Sequence, residues 1–240
     1  MQLTVEAPLN SLSFGNVSYN ILRQLWRKGV DVSLFPIGGA NSDISAFDKI
    51  DKEFAEWLQS SANNSIKNIN EETPAFKLWH LNGSQTRIGS KQFLYTFYEL
   101  DQPTPQEINL AKFQTKTFFS SNYAADQFKK FGIDAGVIPV GFDEDFSKTN
   151  KTYLSQDVVH FGLMGKFEKR KHTEKIIKLW LSKYGNNNKY QLSVCVTNPF
   201  FKQEEMQNIL ANCLDGKRYT NINFIPFLKT NSEVNDLLNA

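Results

Sequence analysis

The stretch Gly162 to Trp180, GLMGKFEKRKHTEKIIKLW, places six Lys and Arg side chains at one joint of a chain whose formal net charge is only +2. An apolar run with Val158, Val159, Phe161 and Leu163 precedes the charges, and Ile176, Ile177, Leu179 and Trp180 follow at helical spacing. This order predicts a buried strand, a turn from Gly165 to His172 and a helix beginning near Thr173. Ligands of open α/β sheets bind at the C-terminal ends of the strands. A helix starting there aims its free N–H groups and the positive end of its dipole at the same place, which favours an anion. Lys166 and Lys171 would add whole charges to those partial ones, and a diphosphate uses both kinds best. Gly165, Lys166, Arg170 and Lys171 are therefore the candidate phosphate contacts. The same residues also fit a solvated charged turn, in which Glu168 and Glu174 offset part of the charge and Arg170 stacks outward on Phe167.

Two better-known phosphate motifs do not fit. Gly162 to Lys166 is too short for a Walker loop, and Phe167 stands where Ser or Thr would hold magnesium. No G-x-G-x-x-G follows any strand-like run, so a hydride-transfer cofactor has no support. No His cluster has ligand spacing, and Cys195 and Cys213 form neither a disulfide framework nor a metal-ligand pattern, so both are expected as small buried hydrophobes. No metal and no cofactor is expected.

The elements that must position the basic turn read as alternating strands and helices. LTVEAP is a strand and FGNVSYNILRQLWRKG a helix, with Val17, Ile21 and Leu25 and the neighbouring Leu22 and Trp26 at helical spacing and Gly29 at its C-terminal end. VDVSLFPIGG is a strand, and SAFDKIDKEFAEWLQSS a helix presenting Phe47, Ile50, Phe54, Trp57 and Leu58. AFKLWHL and KQFLYTFYEL are strands without an obvious helix between them. PTPQEINLAKF, TKTFFSS, NYAADQFKKFG and AGVIPVG then alternate helix, strand, helix, strand. A polar stretch, Gly141 to Gln156, reads as an exposed connection. After it come three further strand–helix pairs, ending in NINFIPFL and NSEVNDLLNA, which is half of a doubly wound domain. The pattern predicts an α/β protein with mainly parallel sheets.

With 40% hydrophobic residues and 20 Phe, the 240-residue chain can fill two cores. The near balance of 27 basic and 25 acidic residues is far from that of a chain living on nucleic acid, and the patch KFEKRKH stands alone, so no nucleic-acid partner is expected. No window is long and apolar enough for a membrane span, and MQLTVEAPLN lacks the basic and apolar regions of a signal peptide, so a cytoplasmic protein is expected.

The order of these segments resembles that of the retaining GT-B glycosyltransferases of family 4. In GKFEKRKHTEKIIKLW, Lys166 takes the place of the family's first basic residue at the end of a strand, and Lys171 that of the lysine opening the next helix. His172 departs from the family's glycine. FGNVSYNILRQLWRKGVDVSLF is similar to the family's glycine-bearing loop, first helix and second strand. The run from FLYTFYEL to GFDEDF resembles its middle strands and the P-x-G-hydrophobic-D link, here Pro139, Gly141, Phe142 and Asp143. The resemblance implies two Rossmann-like domains, residues 1–148 on the acceptor side and 149–240 as a partial nucleotide-sugar donor domain. It implies transfer of a sugar from a UDP-, GDP- or ADP-linked donor to a saccharide, lipid or other acceptor, with retention of configuration. The negative charge of the departing diphosphate would be stabilised by Lys166 and Lys171 without a metal. Front-face attack assisted by the leaving phosphate names no general base, so the catalytic residues stay unassigned. The family's two glutamates seven residues apart would follow further along. The sequence stops before that segment, and a truncated donor domain of doubtful activity is the expectation.

Within the first domain, Gly15 and Asn16 lie between the first strand and helix, where a backbone N–H could approach diphosphate or acceptor; a plain helix start fits as well. Glu99 follows FLYTFYEL at the ligand edge and could take a sugar or acceptor hydroxyl, or be a surface carboxylate. His80 occupies a similar strand end and reads as structural, and Trp57, Trp79 and Trp180 read as core. The rival to an enzyme is a non-catalytic module that binds a nucleotide or sugar phosphate.

Overall fold

The computed structural model describes residues 2–38, 42–47, 50–150, 153–198 and 200–240. The chain divides into two compact units, Met1–Asp143 and Glu144–Ala240. The first contains β1 (Gln2–Pro8), α1 (Ser13–Arg27), β2 (Asp31–Ile37), α2 (Lys52–Asn63), β3 (Ala75–Leu78), β4 (Gln92–Thr96), α3 (Pro105–Phe113), β5 (Lys116–Phe119), α4 (Asn122–Lys129) and β6 (Gly136–Val137). The six strands form one parallel sheet in the order β2-β1-β3-β4-β5-β6. Chain order reverses at β1 and β3, the switch point where such sheets leave a crevice.

Sequence periodicity explains the layers. Val5, Ala7, Leu34 and Leu78 pack under α1 and α2 with Tyr19, Leu22, Phe54 and Leu58. Leu94 and Phe119 pack with Ala111, Ala124 and Phe128 of α3 and α4. Of the residues expected to pack from α1, Leu22 is buried and Val17, Ile21, Leu25 and Trp26 are partly buried, and the buried side extends to Phe14, Gly15, Ser18 and Tyr19. Small residues at 15 and 18 bring α1 close to β1, where the Ser18 hydroxyl donates to the Pro8 carbonyl. The helix expected from Ser45 begins instead at Lys52, because Asp51 accepts a hydrogen bond from the Glu53 N–H and caps it. Phe47 still reaches the core from the preceding segment, stacked on Tyr19 at 3.6 Å. Positions 48 and 49 of that expected helix lie outside the described residues. Between β3 and β4 runs a loop with a single 3-10 turn, Leu81–Gly83. Buried Lys77 holds this loop by donating to the Thr86 hydroxyl at 2.9 Å, and pairs with Glu6 at 3.0 Å.

The second unit contains β7 (Val159–Lys166), α5 (Thr173–Tyr184), β8 (Tyr190–Thr197), α6 (Gln203–Asn212), β9 (Ile222–Phe224) and α7 (Asn231–Leu238). Its parallel sheet has the order β7-β8-β9. Ile177, Trp180 and Leu181 pack on Leu192, Val194 and Val196. β8 is the buried strand. β7, expected to be buried, is an edge strand with one neighbour, and its Val159 is 51% exposed. Both cysteines are free and buried.

Part of the polar stretch expected as an exposed connection is bound to α7. Asn231, Asn235 and Asn239 recur every four residues, a rise of about 6 Å per step along a helix. Residues two apart in extended chain are separated by a similar ~6.6 Å. Accordingly Asn231 donates to Asp145 at 3.2 Å, Asn235 accepts from the Ser147 N–H at 2.9 Å, and Asn239 accepts from the Thr149 N–H at 2.8 Å. Positions 151 and 152 of the connection lie outside the described residues. No described helix is long and apolar enough to cross a membrane.

Candidate functional site

The basic turn is built by β7 and α5. β7 ends at Lys166, a 3-10 turn spans Lys169–Lys171, and α5 starts at Thr173. Two backbone features shape it. Gly165 has φ +126°, which side chains rarely adopt, and a β-carbon there would meet Lys171 Nζ at 3.3 Å. The Lys171 ammonium therefore folds back over the end of β7. His172 has φ 51° and ψ 30°, the left-handed conformation that glycine adopts most easily. The structure thus brings together Gly165 and Lys171, which are six positions apart in sequence.

Charge in the turn is partly neutralised from within. Glu168 accepts from Lys166 at 3.0 Å through one oxygen and from Arg170 Nε at 2.9 Å through the other. The hydrogen bond from Lys166, with the charges of Lys166 and Arg170 behind it, holds the Glu168 carboxyl below its ordinary value. Lys166 also lies 4.7 Å from the ring centre of Phe200, a contact sequence reasoning did not find. Phe200 is 81% exposed. Lys171 makes no ion pair among the described residues.

No side chain caps the N-terminus of α5 or of α1. Nor does the N-cap side chain of α6, whereas α2, α3, α4 and α7 are capped by Asp51, Thr104, Ser121 and Thr230. The first helix of each unit is thus among those whose leading N–H groups no N-cap side chain serves. In α5 these groups adjoin Lys171, and the arrangement can hold a compact polyanion by dipole, N–H groups and ammonium together.

The first unit meets the same topological position differently. Gly15 and Asn16 lie in the first turn of α1, beyond the end of β1. A β-carbon on Gly15 would collide with the backbone of Asn10, and the Asn16 N–H is occupied by the Leu12 carbonyl at 2.8 Å. At the same edge Phe14 packs on His80 at 4.4 Å, Phe97 at 4.7 Å and Trp79 at 5.8 Å. His80 is exposed on this aromatic cluster, and Glu99, three positions past β4, is exposed at the end of its own strand. Tyr98 is pushed up to about 12 by burial and then by Glu107, Asp101 and Tyr123, so it stays protonated at neutral pH.

An Asp-x-Asp spacing occurs at Asp143 and Asp145, but both carboxylates are committed. Asp143 accepts from Asn20 at 2.8 Å and lies 3.7 Å from Arg23 of α1, whereas Asp145 accepts from Asn231. Among the described residues no three or more His, Cys, Asp and Glu side chains cluster as metal ligands would. An open cleft of about 590 Å³ is lined by Gln85, Gln106, Asn109, Leu110 and Phe113, and includes none of the residues singled out from sequence.

No protein-family model matches the sequence, and no curated protein matches it significantly. Solved structures do match. Sucrose-phosphate synthase from Thermosynechococcus elongatus aligns over 100% of this chain and 73% of its own length, at 13% identity and a TM-score of 0.62. Anabaena HepE, solved in complex with UDP and glucose, aligns over 99% of this chain and 71% of its own, at 13% identity and a TM-score of 0.54. The N-terminal domain of trehalose-6-phosphate phosphatase from Candida albicans aligns over 99% and 76%, at 10% identity and a TM-score of 0.52. The fold is that of GT-B proteins, α/β with mainly parallel sheets. At such identities the likeness is one of fold alone.

Proposed function

We propose that this chain is a nucleotide-sugar-dependent glycosyltransferase of the retaining, family 4 kind, with the donor's diphosphate held at Gly165 to Thr173. The observation that carries this reading is the joint itself. Lys171 is folded over a positive-φ glycine at the end of β7, beside the uncapped N-terminus of α5. Support from the fold comes from the likeness to sucrose-phosphate synthase and to HepE, whose structure holds UDP and glucose.

In this reading the chemical problem is departure of a nucleoside diphosphate as the bond from its oxygen to the sugar C1 breaks. Charge builds on the leaving phosphate, and cations and N–H groups already aimed at it lower the barrier without reorganising. Lys171 and Lys166 would supply the cations, and the first turn of α5 the N–H groups. The first unit would hold the acceptor near Gly15, Asn16 and Glu99. The donor would be UDP-, GDP- or ADP-linked, the acceptor a saccharide, lipid or other hydroxyl compound, and the setting cytoplasmic.

Lys166→Ala and Lys171→Ala should each weaken binding of UDP, measured by calorimetry alongside GDP and ADP, by roughly tenfold or more. A charge-assisted hydrogen bond contributes about 1.5 to 3 kcal/mol and a factor of ten needs about 1.4. Equal affinity in all three proteins would remove the phosphate assignment. The second reading, a module that binds nucleotide or sugar phosphate without transfer, is favoured by the phosphatase domain that shares the fold. Release of labelled sugar from UDP-glucose in the presence of mixed acceptors separates the two.

A further inference from the structure

Glu168 has no part in the phosphate reading, yet it stands at the centre of the turn. Its two carboxylate oxygens are divided between Lys166 at 3.0 Å and Arg170 at 2.9 Å. Its side chain is 24% exposed, against 64% for that of Arg170, so the carboxylate lies within the cations and not beyond them. Two oxygens accepting from two cationic donors is also how one phosphoryl group of a diphosphate would engage the same side chains. Glu168 and such a ligand therefore compete for the same donors.

We infer that Glu168 is an internal stand-in for the donor's phosphate, holding Lys166 and Arg170 until a nucleoside diphosphate displaces it. The inference rests on the phosphate assignment proposed above. A nucleoside diphosphate carries more charge than orthophosphate, and both carry more than a single carboxylate, so the diphosphate displaces Glu168 more readily than smaller anions do. Glu168 thereby makes the turn discriminate against orthophosphate and free carboxylates in favour of the diphosphate. Lys171, which pairs with no carboxylate among the described residues and already overlies Gly165, is the cation that an incoming diphosphate meets first. Glu168 acts through the cations and does not touch the reacting atoms.

The test is calorimetry on the whole chain with inorganic pyrophosphate, UDP and orthophosphate. Glu168→Gln keeps the side chain's size and its acceptor oxygen but removes the charge. It should tighten pyrophosphate and UDP by roughly three- to tenfold and orthophosphate by more, narrowing the discrimination between them. Glu168→Ala should tighten them in the same direction. Unchanged or weaker binding in both variants overturns the inference, since a carboxylate that merely positions the cations would lower affinity when lost. The two readings fail separately. If Lys166→Ala and Lys171→Ala leave UDP binding intact, the phosphate assignment falls and this inference with it. If they weaken binding while the Glu168 variants do not strengthen it, only the inference falls.

Discussion

Each unit joins its first strand to its first helix at the C-terminal edge of a parallel sheet, and the two joints are built on opposite principles. In the first unit the joint closes by packing: Gly15 is buried against the Asn10 backbone, Ser18 reaches the Pro8 carbonyl, and Phe14 is covered by Phe97 and His80. In the second the joint stays open and charged, with Gly165, Lys169, Arg170, Lys171 and His172 all exposed. Both first helices lack a side-chain cap, so the difference lies in what fills the space before them. Backbone fills it in one unit, and in the other a set of cations partly balanced by Glu168. This contrast is why the proposed phosphate site is placed in the second unit.

The largest effect should come from filling the packed joint. Gly15 is helical, and Gly→Ala in a helix ordinarily stabilises by about 0.5–1 kcal/mol. Here the new methyl group would lie 2.6 Å from the Asn10 nitrogen, a backbone atom that cannot swing aside. Gly15→Ala should therefore destabilise by about 3 kcal/mol, the upper part of the range for overpacked sites. Urea unfolding and amide hydrogen exchange in β1 would show it, and pyrophosphate binding by the folded protein should not change. A stabilising substitution would mean that the first joint is open like the second.

The second unit is secured elsewhere, along the asparagines of α7. Asn235→Ala removes the acceptor for the Ser147 N–H and should cost about 1 kcal/mol, the net worth of one hydrogen bond, although alanine is the better helix former. Hydrogen exchange at Ser147 is the direct readout. A change confined to α7, with Ser147 as protected as before, would show that the connection is held by something other than this ladder.

Much of this architecture was legible in the sequence, because strands and helices announce themselves by period and turn residues. The alternation that gave two parallel sheets depends on which positions are apolar, and a single chain displays that directly. The turn at Gly165 to His172 could likewise be located, since a strand, a charged turn and a helix are consecutive. What the sequence hid were relations between distant residues and relations to neighbours. β7 has the composition of a buried strand, and only its place at the sheet's edge exposes Val159. The asparagines at 231, 235 and 239 are visibly periodic, but their partners lie about ninety positions earlier, in a stretch whose polarity suggested solvent. Glu168 was visible as a neutralising charge and not as a bridge, because the division of its two oxygens depends on rotamers. Phe200 over Lys166 required β7 and β8 to be placed side by side.

The smallest effect concerns His172, and it tests whether the open joint is shaped by its backbone or by its side chains. Left-handed backbone costs an ordinary L-residue about 1–2 kcal/mol, with histidine among the residues that tolerate it better than most. His172→Gly removes that cost but returns conformational freedom to the unfolded chain, worth about 0.4–1 kcal/mol in the other direction. The side chain is exposed and makes no hydrogen bond to cap α5, so little else is lost. The net expectation is a stabilisation of about 0.5 kcal/mol in urea unfolding, whereas His172→Val, which tolerates the left-handed region poorly, should lose at least 1 kcal/mol. Pyrophosphate affinity should stay within about twofold in the glycine variant, because it keeps the path of the chain that sets Lys171 over Gly165. If glycine proves less stable than histidine, the left-handed turn is not what the sequence strains to make at this position. The open joint would then owe its shape to the cations around Glu168, and its contrast with the packed joint would rest on charge alone.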